Sequence, residues 1–165
     1  MSLFLDYSKI LERTYILLLG SYSHEPFRVL ECLKTYLIKK GFLKTSIAVD
    51  FITIIKETSY EEKMGKTLED IIKSMKESDF CIFIFFENEK NDSVIVELAS
   101  LINSSVPRTE NKILILLPRL YHSSMLMGLI SNKRLNSFRY DDYIDIFQYC
   151  SNYLKRNSIE KFKIR

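Results

Sequence analysis

One glutamate stands inside the most apolar helical stretch of the chain. Glu97 lies in VIVELASLI, and a carboxylate among Val, Ile and Leu needs a partner or a task, because an unpaired buried charge is costly. The polar run before it, ENEKNDS, offers Asp92 or Ser93 as the helix cap, which sets Glu97 about one turn in. Such a position is near the mouth of the expected crevice. The structural alternative is that Glu97 pairs with a nearby Lys or Arg, or faces solvent.

A second group follows the apolar run YILLL: Gly20, Ser21, Tyr22 and His24 in GSYSHE. Gly20 allows close approach of a ligand or simply a tight turn, and the hydroxyls of Ser21, Tyr22 and Ser23 can hold polar ligand groups. Asp50, after TSIAV, is either a proton-transfer group or a strand-end cap. Arg119 and His122, in PRLYHSSM, suit an anion. His24 and His122 are the two histidines of the chain, and their alternative role is that of plain loop residues. Gly65-Lys66-Thr67 mimics the end of a phosphate-binding loop, but Tyr60 stands where its first glycine belongs, so that reading fails. The three cysteines, Cys32, Cys81 and Cys150, are too scattered for a zinc site or a disulfide framework. Neither a metal nor a cofactor is expected.

These residues must be positioned by a scaffold, and its elements alternate. A short amphipathic helix is expected over residues 3–12. Strands follow at Tyr15–Leu19, Thr45–Val49, Phe80–Phe85, Lys112–Leu117 and, briefly, Phe138–Tyr140. Continuous apolar runs such as FCIFIF mark strands buried on both faces. Pro26 opens a helix that ends at Gly41, Thr67 with Asp70 resembles a capping box, and Asp142 caps a last helix. Residues 51–66 are ambiguous. This order predicts an α/β, doubly wound, flavodoxin-like parallel sheet of about five strands, order 2-1-3-4-5, in three α/β/α layers. Ligands of such sheets sit beyond the strands' carboxyl ends at the switch point, here between strands 1 and 3. The loops there run into helix N-termini, which favour a phosphate or carboxylate.

The pattern strand–GSY–helix, then ESDFCIFIF, NDSVIVELA and KILILL resembles nucleoside 2-deoxyribosyltransferases and 2'-deoxynucleoside 5'-phosphate N-hydrolases over about residues 14–118. The resemblance implies that Glu97 matches the catalytic nucleophile, Asp92 the carboxylate before the helix, and Gly20, Ser21 and Tyr22 the first substrate loop. It implies attack on an anomeric carbon and a glycosyl-enzyme. The family's helix is punctuated by glycines, where this chain carries Val94, Val96 and Leu98. A weaker similarity is to TIR-like domains, which also place a Glu beside the crevice. The opening and the Ser–Ser–Met segment also look like a family of small archaeal proteins, which implies fold and no activity.

Size and composition fit a single domain over 1–165: 165 residues, 47% hydrophobic and 27% charged. The net charge of +3 argues against a nucleic-acid partner. Residues 154–165 carry net +4, and the basic tail at 157–165 is expected to be frayed, with Lys161, Lys163 and Arg165 mobile. The N-terminus lacks a signal-peptide pattern and no apolar run reaches bilayer length, so a cytoplasmic protein without a membrane partner is expected. Three readings compete: a nucleoside or nucleotide N-glycosidase or deoxyribosyltransferase, a non-catalytic nucleotide-binding or sensing module, and an interaction protein dimerising through its first and last helices.

Overall fold

A computed structural model describes residues 6–51, 60–104 and 109–163. Five strands form one sheet: β1 (Tyr15–Gly20), β2 (Lys44–Ile47), β3 (Phe80–Ile84), β4 (Ile113–Pro118) and β5 (Asn136–Tyr140). Their order is β2-β1-β3-β4-β5, every pairing is parallel, and Leu17 stands opposite Cys81 across the central pair. The α/β fold and the strand order are those expected from the alternation of elements.

Strand period two divides the core. Ile16, Leu18, Ile82, Ile84, Leu114 and Leu116 face one layer, where helices α1 (Tyr7–Arg13), α2 (His24–Lys39) and α6 (Tyr143–Lys163) pack. Leu17, Leu19, Cys81, Phe83, Ile115 and Leu117 face the other, formed by α3 (Tyr60–Glu77), α4 (Asp92–Ile102) and α5 (Ser124–Lys133). The chain moves outward from β1 to β2 and then back past β1 to β3. With right-handed crossovers, that reversal puts α2 opposite α3, α4 and α5. No described helix is long and apolar enough to cross a membrane.

Several local expectations are met. Asp142 caps α6, its Oδ1 accepting from Ile144 N at 2.7 Å and Asp145 N at 3.2 Å. Asp145 answers by accepting from Asp141 N and Asp142 N, a reciprocal capping box. Gly41 follows α2 with φ of 100°, a conformation that spares glycine the Cβ penalty.

Others are corrected. Thr67 and Asp70 do not open α3, which already begins at Tyr60. The helical spacing of its apolar residues carries it through Gly65, whose interior cost of about 1 kcal/mol is too small to break it. The phosphate-loop mimic therefore lies inside a helix, and residues 52–59 of the ambiguous stretch fall outside the described residues. The basic tail is not frayed through 161: α6 continues to Lys163, and Ser158 is fully buried. Lys161 Nζ pairs with Asp79 Oδ1 at 2.7 Å and lies over the Phe80 ring. Arg165 is outside the described residues. Tertiary partners thus compensate the ordering entropy that the tail alone could not. Of the helices expected to serve a dimer, Ile10 and Leu11 of α1 and Ile146, Cys150 and Leu154 of α6 are buried within the chain, whereas Tyr7 of α1 and Tyr143 and Ile144 of α6 are exposed.

Candidate functional site

Helix α4 sets its buried stripe at Val94, Glu97, Leu98 and Leu101, the spacing of one helical face. Glu97 thus points where a core side chain should. It is only 4% exposed, and its Oε2 has no hydrogen-bond partner among the described residues. Burial pushes its pKa up to about 7. Glu97 is not solvated, and it pairs with no Lys or Arg among the described residues.

Tyr22 comes from the loop after β1 and packs against both core layers at the end of the sheet. Its hydroxyl is also buried and without a partner. Burial raises its pKa, and the nearby Glu97 carboxylate and then Asp50 raise it further, so the phenol keeps its proton. The two orphaned polar atoms among the described residues therefore come from the two loop–helix units that flank the switch point between β1 and β3. Buried polar groups are nearly always paired, and orphans mark sites that await a ligand or store strain.

The loops are held from within. Asn91 is buried, its Oδ1 accepts from Phe86 N at 3.2 Å, and its Nδ2 donates to Phe86 O and Glu89 O at 3.0 and 3.1 Å. Asn91, rather than Asp92 or Ser93, is the cap residue of α4, and its carbonyl accepts from Ile95 N. Sequence reasoning passed over it because Asn, Asp and Ser in succession offer three equivalent caps; only the bonds back to Phe86 choose among them. Ser21 is buried and donates to Glu89 Oε2 at 3.2 Å, joining the loops across the switch point. Arg139, also unforeseen, donates to the carbonyls of Pro118, Arg119 and Tyr121 and so fixes the loop after β4.

The remaining candidates are more dispersed. Gly20 ends β1, and an added Cβ would lie 3.1 Å from the Phe86 ring and 3.2 Å from Ile84 O. Close packing alone accounts for a small residue there. Asp50 Oδ2 accepts from Lys34 Nζ at 2.7 Å and Ile47 N at 2.9 Å, the strand-end cap. Asp92 and Ser93 are exposed in the first turn of α4. Arg119 pairs with Asp141 at 2.7 Å on the surface. His24 and His122 are exposed and make no hydrogen bond or ion pair among the described residues. No group of three or more metal-ligating side chains is assembled among those residues.

This is the fold of the nucleoside 2-deoxyribosyltransferases. The chain is similar to a 2-deoxyribosyltransferase of Bacillus psychrosaccharolyticus, with a TM-score of 0.56 and 14% identity over 80% of this chain and 90% of that one. It is similar also to a CMP N-glycosidase of Clostridium botulinum, with a TM-score of 0.58 and 17% identity over 84% and 99% respectively. At such identities the likeness establishes the fold alone. No protein-family model matches the chain, and no curated protein matches it by sequence.

Proposed function

We propose that the protein cleaves or exchanges the N-glycosidic bond of a nucleoside or nucleotide, with Glu97 as nucleophile. The observation that carries this reading is the buried Glu97 carboxylate with an unpartnered oxygen, within electrostatic range of the buried, unpartnered Tyr22 hydroxyl. The names of the two similar structures, a 2-deoxyribosyltransferase and a CMP N-glycosidase, describe chemistry of this kind. Glu97 Oε2 attacks the anomeric carbon, the bond to the base breaks, and its electron pair passes to the base nitrogen. Asp92, exposed in the first turn of α4, is the carboxyl we assign to protonating that nitrogen, Asp50 being engaged by Lys34 and Ile47. Water or a second base then displaces the sugar and restores the carboxylate. The Tyr22 hydroxyl orients the nucleophile or the sugar. Since the attacking form is ionised, activity rises with pH through about 7, the value to which burial lifts Glu97.

Incubation with a panel of 2'-deoxynucleosides, their 5'-monophosphates, CMP and NAD, followed by chromatography for free base, tests the reading. Release that disappears in Glu97→Gln is expected. No release from any compound at high enzyme concentration overturns it.

A further inference from the structure

The β1–α2 and β3–α4 loops, which meet at the switch point through Ser21 and Glu89, carry an electrostatic arrangement that bears on which substrates fit. A phosphate at a helix N-terminus needs free N–H donors and an uncompensated positive dipole end. The start of α2 is poor in both. Pro26 lacks an N–H in the first turn, and Glu25 already supplies a negative charge there. Ser21 Oγ, one residue before Tyr22, directs its proton to the half-buried carboxylate of Glu89 at 3.2 Å. It also lies 3.2 Å from Ser23 Oγ, and accepts from Ser23 N at 3.4 Å. The basic groups on this end of the sheet are largely committed: Lys34 to Asp50, Arg119 to Asp141, and Arg139 to three carbonyls. Lys90 and His24 are exposed.

We infer that the site selects a neutral nucleoside over its 5'-monophosphate, and that Glu89 is the specificity-determining residue. A sugar hydroxyl has a proton to give to the Glu89 carboxylate, beside the one that Ser21 already donates to it. A phosphate dianion has no proton to give and meets like charge from the half-buried Glu89, where repulsion is less screened, and from the exposed Glu25. Tyr22, whose buried hydroxyl is unpartnered, lies between these two serines in the chain, and Glu97 follows Glu89 in the β3–α4 unit, so the cluster belongs to the same two loop–helix units as the proposed site. This inference rests on the nucleoside-handling reading above.

The experiment compares 2'-deoxycytidine with 2'-deoxycytidine 5'-monophosphate, and likewise the 2'-deoxyadenosine pair. The wild type should favour the nucleoside by about tenfold or more in kcat/KM, which corresponds to about 1.4 kcal/mol. Glu89→Gln should shift that ratio about tenfold toward the monophosphate, whereas Glu89→Asp, which keeps the charge, should retain the preference. A wild type that prefers the monophosphate, or a ratio unmoved by Glu89→Gln, overturns the inference. If neither compound releases base, the same pairs are compared by their effect on the melting temperature of Glu97→Gln. Stabilisation by the nucleoside alone then upholds the selectivity while overturning catalysis. Stabilisation by neither, or more by the monophosphate, overturns the selectivity as well.

Discussion

The two ends of the sheet differ in how completely their buried polar groups are partnered. At the amino end, every such group described has a partner. Lys112, 8% exposed, donates to Met75 O at 2.8 Å and Lys76 O at 3.1 Å, closing the carboxyl end of α3. Asp79 accepts from Tyr15 N and pairs with Lys161, while Thr14 donates to Ile10 O. At the carboxyl end, Glu97 Oε2 and Tyr22 OH have none. The chain can satisfy buried polarity, and does so wherever stability is the only demand. Leaving two such atoms bare at the switch point is a cost to folding, and proteins tend to bear such costs where binding or chemistry occurs.

The largest expected effect lies at the bare end. Glu97→Gln should lower base release by roughly 10³-fold or more, since a neutral amide cannot form the glycosyl-enzyme. Rates within tenfold of wild type would remove Glu97 from the chemistry.

The same substitution should act oppositely on stability. Ionising Glu97 is harder in the folded chain, with its pKa raised from 4.5 to about 7. The folded state therefore holds more protons than the unfolded one between those values, and stability falls as pH rises through that window. Denaturant titrations should show Glu97→Gln gaining on wild type from pH 5 to pH 8, by roughly 3 kcal/mol at most. A constant difference between the two proteins across that range would mean that the carboxylate is not held in a desolvated place.

At the satisfied end the order reverses. Lys112→Met strands two carbonyls at the end of α3 and should cost about 1–3 kcal/mol in chemical denaturation. Turnover per folded molecule should not change. A loss of turnover with stability intact would contradict the division between the two ends.

The smallest stability effect is expected from Tyr22→Phe. An unpaired hydroxyl contributes no hydrogen bond to lose, so its removal should be neutral or slightly stabilising, within about 1 kcal/mol. A larger destabilisation would reveal a partner for the phenol. Base release should nevertheless fall, which kinetics on the same preparation can measure.

The sequence by itself determined the sheet, its strand order and the place of its switch point. Those follow from short-range features: continuous apolar runs for strands buried on both faces, and helical spacing between them. It also singled out Glu97, because one charge in an apolar stripe is visible without coordinates. Helix limits were less legible where local signals were equivalent or overridden, as at Thr67 and along the basic tail.

Only the tertiary structure decided which polar residues are spent on partners far away in sequence. Asp50 is engaged by Lys34, Arg119 by Asp141 and Lys161 by Asp79. Asn91 became the clasp of the β3–α4 loop through bonds to Phe86 and Glu89. Tyr22 and Glu97 were left unpaired together, although 75 positions separate them in the chain. Hydrogen bonding is short-ranged and directional, so whether a group is satisfied depends on neighbours that exist only once the strands are side by side.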